Sequence, residues 1–218
     1  MALKNRKTRI LVNTGILLAL LASLLLQPIS ARAMGDADAI GLPNFSEFSH
    51  AVQDGRAYLL RGVYVPNVLA LPVVQQPYGS PGFVSSENEQ TTQFRMANSY
   101  GNVGLLAHNY LSGQTFFELK VGDEVRLVYG DGKMELFVVT EVLRYQALQP
   151  NSSYSSFRNL DKDEVLSAEK MFKRVYFGNR HVTFQTCIEQ DGVLSWGRLF
   201  IIAIPKAEYE ELDPLNNR

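Results

Sequence analysis

From Arg56 onward, short β-rich apolar runs are separated by turn residues, the pattern of strands. The pattern predicts strands over Tyr58 to Val65, Leu69 to Gln75, Phe94 to Ala97 and Val103 to Ala107. Glu124 to Tyr129 and Met134 to Leu143 form the clearest hairpin, because Gly130-Asp131-Gly132 supplies residues that tolerate positive φ. His181 to Cys187 and Trp196 to Ile204 complete the set, joined through Glu189-Gln190-Asp191-Gly192. Pro72 lacks an N–H, so the run that contains it reads as an edge strand at best. Helical spacing is rarer. A short helix is expected around Ser46 to Gln53, capped by Ser46. A longer one is expected over Asp161 to Tyr176, where Val165, Leu166, Met171, Phe172 and Val175 approximate an apolar stripe. Many short strands with few helices argue for an all-β barrel or sandwich.

The N-terminus follows another rule. Lys4, Arg6, Lys7 and Arg9 precede an apolar run from Ile10 to Leu26, and Ser30-Ala31-Arg32-Ala33 follows as a small-x-small exit. Charged head, apolar middle and small-residue exit make a secretory signal peptide or, uncleaved, a signal anchor. The run is about 17 residues, the short limit of a membrane span. The organisation expected is a leader over 1–33, a connector over 34–55, one folded domain over 56–205 and a polar C-terminal tail over 206–218. The placement expected is extracytoplasmic, at the cell surface, secreted or tethered to the membrane by the leader.

Composition narrows the chemistry. Formal net charge is −1 over 218 residues, with no long basic block, so no nucleic-acid partner is expected. One cysteine and three histidines make a structural zinc site a poor fit, and neither metal nor cofactor is expected. A lone thiol in an exported chain has no intramolecular disulfide to make, and a nucleophile is the economical explanation of Cys187. A thiolate attacks a carbonyl far better than a thiol does, so such a nucleophile needs a positive neighbour. Arg198 is always charged and carries donors for the oxygen of a tetrahedral intermediate. His108 suits proton transfer to a departing amine and from an incoming one. His181 competes for that role by proximity in sequence. Six residues along one strand is about 20 Å, too far for proton transfer. Trp196, two residues before Arg198, is a candidate wall of a substrate groove, and Thr186 a candidate substrate contact beside the nucleophile. Asn109 reads as a turn residue, and His50 as a solvated connector residue.

These motifs resemble the sortase family. Thr183-Phe184-Gln185-Thr186-Cys187 is similar to its Thr-Leu-x-Thr-Cys strand end, with Phe184 where leucine is usual. Gly104-Leu105-Leu106-Ala107-His108-Asn109 resembles its histidine motif, Phe117 to Asp123 the turn that follows, and Gly197-Arg198-Leu199 its arginine-bearing strand. The resemblance spans roughly 56–205. It implies a closed eight-stranded β-barrel with short helices and a cysteine transpeptidase of the cell envelope. Its partners would be a peptide sorting signal of exported proteins and an amine acceptor, with a thioacyl-enzyme between the two steps. The insert before His181 is long, so no particular signal peptide is implied. Two rival readings remain: a cysteine peptidase that releases its acyl group to water, and a non-catalytic envelope binding module on the same fold.

Overall fold

A computed structural model describes residues 41–212. The leader, the start of the connector and the last residues of the tail lie outside the described residues. Among those described, no helix is long and apolar enough to cross a membrane.

The chain enters through helix α1 (Phe45–Val52). Its cap is Asn44, not Ser46: the Asn44 side chain accepts from Glu47 N at 3.0 Å, and Glu47 Oε2 accepts from Asn44 N at 3.3 Å. This reciprocal box satisfies two amides that a helix start leaves open. Phe48 then lies on the barrel against Tyr64 and Val128. Gly62 makes room, since a Cβ there would sit 2.9 Å from the Phe48 ring.

The strands are β1 (Leu60–Val65), β2 (Leu69–Gln75), β3 (Thr91–Phe94), β4 (Val103–Leu106), β5 (Glu124–Tyr129) and β6 (Met134–Ala147). After them come β7 (Phe157–Asn159), β8 (Val165–Leu166), β9 (Val182–Gln190) and β10 (Val193–Pro205). Pairing runs β10-β9-β4-β3-β2-β1-β5-β6, and a β10–β6 ladder closes the ring. The result is a closed eight-stranded barrel of mixed direction, with β2–β3 and β4–β9 parallel. The short β7–β8 pair extends outward from β6. Its interior is filled by alternate side chains, among them Val63, Leu105, Leu127, Phe137, Phe184, Leu199 and Ile201. A packed barrel of this kind abolishes exposed edges in the ring.

Four expectations change. Pro72 lies in an interior strand: pairing with β1 ends at Pro72 and pairing with β3 begins at Val73, so the missing N–H falls between the two ladders. The run Phe94 to Ala97 divides, Phe94 ending β3 and Arg95–Asn98 forming a single helical turn, α2. The helix foreseen over Asp161 to Tyr176 is shorter. Val165 and Leu166 pair with Arg158 and Phe157, and Ser167 caps α3 (Ala168–Tyr176) by accepting from Lys170 N. The tail begins as helix α4 (Lys206–Leu212), tied to the barrel by Lys206 Nζ donating to Glu124 at 2.8 Å.

Candidate active site

Strand register alone brings the three chemical candidates together. Leu106 pairs with Gln185 in the parallel β4–β9 ladder, and Ala107 N donates to Gln185 O at 3.3 Å. Two residues further along each strand stand His108 and Cys187. On the other side of β9, Arg198 pairs directly with Cys187. Neighbouring strands lie about 4.8 Å apart, so the three residues form one row. They also share a face. Leu105, Ala107, Phe184 and Leu199 point into the core, so alternation turns His108, Cys187 and Arg198 outward. All three are half-buried, and Cys187 is a free thiol.

The arginine is held by an irregularity in its own strand. Val193 pairs with Gln190 and Gly197 with Ile188, so Leu194, Ser195 and Trp196 bulge opposite Glu189. The bulge turns Ser195 O back toward Arg198, whose Nη1 donates to Ser195 O at 2.9 Å and Gly197 O at 2.8 Å. A guanidinium has five N–H donors, and those on Nε and Nη2 have no acceptor among the described residues. Gly197 permits the close passage of β10 and β6: a Cβ there would lie 2.5 Å from Tyr145 O.

The histidine is held by the turn that follows it. His108 O accepts from Leu111 N and from Gly113 N, both at 3.0 Å. Gly113 lies in the first turn of the 3₁₀ segment Ser112–Glu118 and fits only as glycine, since a Cβ would overlap Thr186 Oγ1 and lie 2.6 Å from His108 O. The imidazole stacks on Tyr110, with ring centroids 5.1 Å apart and planes 17° apart. Asn109 Nδ2 donates to Leu194 O at 3.0 Å, which joins the histidine turn to the arginine bulge.

Trp196 lies in that bulge, half-buried, two residues before Arg198. Thr186 is elsewhere than expected. It is 2% exposed, faces the barrel interior against Gly113, and its hydroxyl has no hydrogen-bond partner. Adjacent residues on a strand point to opposite faces, so the outward turn of Cys187 puts Thr186 inside. It packs behind the site and does not line it. His181 is buried at the far end of β9, its ring nitrogens 2.7 Å from Asn179 O and 2.9 Å from Val175 O. His50 sits on α1 and is exposed. Tyr110 and Gly113 carry no signal in a single sequence beyond the turn-like Asn-Tyr-Leu-Ser-Gly that follows His108.

No protein-family model matches the chain, and no curated protein matches it. Solved structures do. Sortase A of Listeria monocytogenes is 15% identical, with a TM-score of 0.43 over 70% of this chain and 88% of that one. Sortase C-1 of Actinomyces oris is 11% identical, with a TM-score of 0.45 over 75% and 81%. Sortase C1 of Streptococcus suis is 12% identical, with a TM-score of 0.46 over 73% and 76%.

Proposed function

We propose that this chain is a sortase-type cysteine transpeptidase, with Cys187 as nucleophile, His108 as general acid and base, and Arg198 as stabiliser of the oxyanion. The observation that carries the reading is the shared outward row of these three residues on adjacent strands. Free donors on Arg198 beside a half-buried thiol are what attack on a peptide carbonyl requires. Tyr110, Leu194 and Trp196 give the neighbourhood of the row partly exposed apolar surface, suited to an extended peptide.

The steps follow. The Cys187 thiolate attacks the carbonyl carbon of the scissile peptide bond. A C–S bond forms, and the carbonyl electron pair moves to oxygen, where the unpartnered N–H groups of Arg198 point their positive ends. Collapse of the tetrahedral species breaks the C–N bond, and His108 delivers a proton to the departing amine. The acyl group stays on sulfur as a thioester. An incoming amine then attacks the thioester carbonyl, gives its proton to His108 and expels the thiolate, so a new amide replaces the old one. The substrate in this reading is a sorting-signal peptide of exported proteins, and the enzyme works at the cell envelope, secreted or held there by its leader.

The test is intact-mass measurement of the protein incubated with a library of sorting-signal peptides, with and without a primary amine. The expected result is an increase in protein mass by the acyl fragment, discharged to an amide product when amine is present. Discharge to the free acid alone, with amine in excess, would make the chain a peptidase. An unchanged mass together with an inert thiol would leave it a binding module.

A further inference from the structure

The barrel end remote from Cys187 carries a second feature that peptide chemistry does not use. Val103 pairs with Val182, five residues before Cys187 along β9, which sets the two ends about 16 Å apart. At that end lies a cavity of about 430 Å³ walled by Arg56, Arg61 and Arg95, with Gln93 in its lining. A recess of about 250 Å³ shares Gln93 and Asn98 with it.

The cavity is built as a frame for donors. Asp54 N and Gly55 N donate to Gly130 O at 3.1 and 2.8 Å, pinning the turn that carries Arg56 to the β5–β6 hairpin. Asp54 Oδ2 receives both Nε and Nη2 of Arg61, at 2.8 and 2.7 Å. That carboxylate is the one acid paired with these arginines, and Arg56 reaches it only at 3.7 Å. Arg95 is positioned by Nη2 donating to Gln76 O at 2.8 Å and by its guanidinium lying 5.4 Å from the Tyr78 ring centroid. Gln93 is 8% exposed, and its Oε1 accepts from Gln75 Nε2 at 2.8 Å. Its Nε2 has no acceptor among the described residues. Three arginines and the Gln93 amide thus line one space, and Asp54 is the single carboxylate paired with those arginines among the described residues.

We propose that this cavity binds a phosphate ester. A carboxylate has two coplanar oxygens and satisfies one guanidinium fork, whereas a tetrahedral phosphate presents oxygens to donors on several sides. The space far exceeds one phosphate, which leaves room for the ester's polar body. This site is independent of the chemistry at Cys187.

Isothermal titration of the full chain with inorganic phosphate and glycerol 3-phosphate, at constant ionic strength in sodium chloride, tests it. Saturable binding of one ligand per chain with Kd below about 1 mM is expected, weakened at least about ten-fold in R56A/R95A. Both arginines are exposed, so the double variant keeps its fold. Heats that fail to saturate by about 10 mM, an unchanged Kd in the double variant, or acetate binding as tightly as phosphate would each overturn the proposal.

Discussion

Strand β9 and the residue before it send His181, Thr183, Gln185 and Cys187 in succession toward the outside of the barrel, and the first three differ from the fourth in one respect. Helix α3 covers them. Val175 O receives Thr183 Oγ1 at 2.5 Å and faces His181 Nε2, and Gln185 Oε1 accepts from Tyr176 Oη at 2.5 Å. Burial pushes the Tyr176 phenol far above its ordinary range, so it stays a neutral donor. Phe94, Phe172, Tyr176 and Phe200 close an aromatic layer over this half of the face. Beyond the reach of α3, the same strand face carries Cys187 between His108 and Arg198, with hydrogen-bond capacity left open. One strand thus shows both uses of a polar side chain. Where a helix covers the sheet, each of these side chains has a hydrogen-bond partner and serves stability. Where cover ends, donors such as Nε and Nη2 of Arg198 stay without a partner among the described residues.

The strongest way to break this comparison is at the thiol. Cys187→Ala removes the proposed nucleophile from an uncovered position, so the thermal midpoint should hold while turnover falls by at least about 10⁴-fold. A variant that retained acyl transfer would show that the open half of β9 is not the reactive one. The two histidines sharpen the contrast. His108→Ala should lower kcat by about 10²–10⁴-fold with little loss of stability. His181→Ala should do the reverse. It removes one of the two groups that meet Val175 O, whose bond from Thr183 Oγ1 remains, and leaves a hole under α3, at about 2–3 kcal/mol of unfolding free energy, with kcat per folded molecule unchanged. Denaturant melts and rate measurements on the same samples separate the two outcomes.

Much of the site was legible before the fold because its residues sit in local patterns. The Gly-Asp-Gly turn announced the β5–β6 hairpin, and two β-rich runs placed Cys187 and Arg198 on strands that a short loop joins. The reading of Thr186 as a substrate contact overlooks strand alternation, since a neighbour of an outward cysteine must face inward. Other features depend on partners remote in sequence. Val165 and Leu166 look helical in isolation, and only Phe157 and Arg158 across the turn make them a strand. Pro72 is tolerated because two ladders change over at that residue, which no local pattern reveals. The demand for glycine at position 113 comes in part from Thr186, seventy-three residues away in the chain, beside the nearby His108 O.

Arg198→Lys probes the open donors directly. Lysine keeps the charge but loses the planar fork, and with it the hold on Ser195 O and Gly197 O. Acyl transfer should fall by about 10²–10³-fold, as when an oxyanion donor is removed. Full activity in this variant would assign Arg198 a purely electrostatic role.

The smallest expected effect concerns the bond that joins the two sides of the row. Asn109 Nδ2 donates to Leu194 O across the mouth of the site, tying the turn that carries His108 to the bulge that aims Arg198. Neither residue would touch the reacting atoms in the proposed reaction, so the bond serves positioning. Asn109 is only partly buried, so its loss costs about 1 kcal/mol at most. The rate should respond more than the stability does. If the tether fixes the distance between imidazole and guanidinium, Asn109→Ala loosens the arrangement needed in the transition state, and kcat should fall several-fold with KM nearly constant. If the tether instead shapes the groove, KM should rise while kcat holds. Asn109→Gln cannot reach Leu194 O with the same geometry, so it should resemble alanine in both parameters. Equal kcat and KM in the alanine variant would mean that His108 is placed by Gly113 and Tyr110 alone.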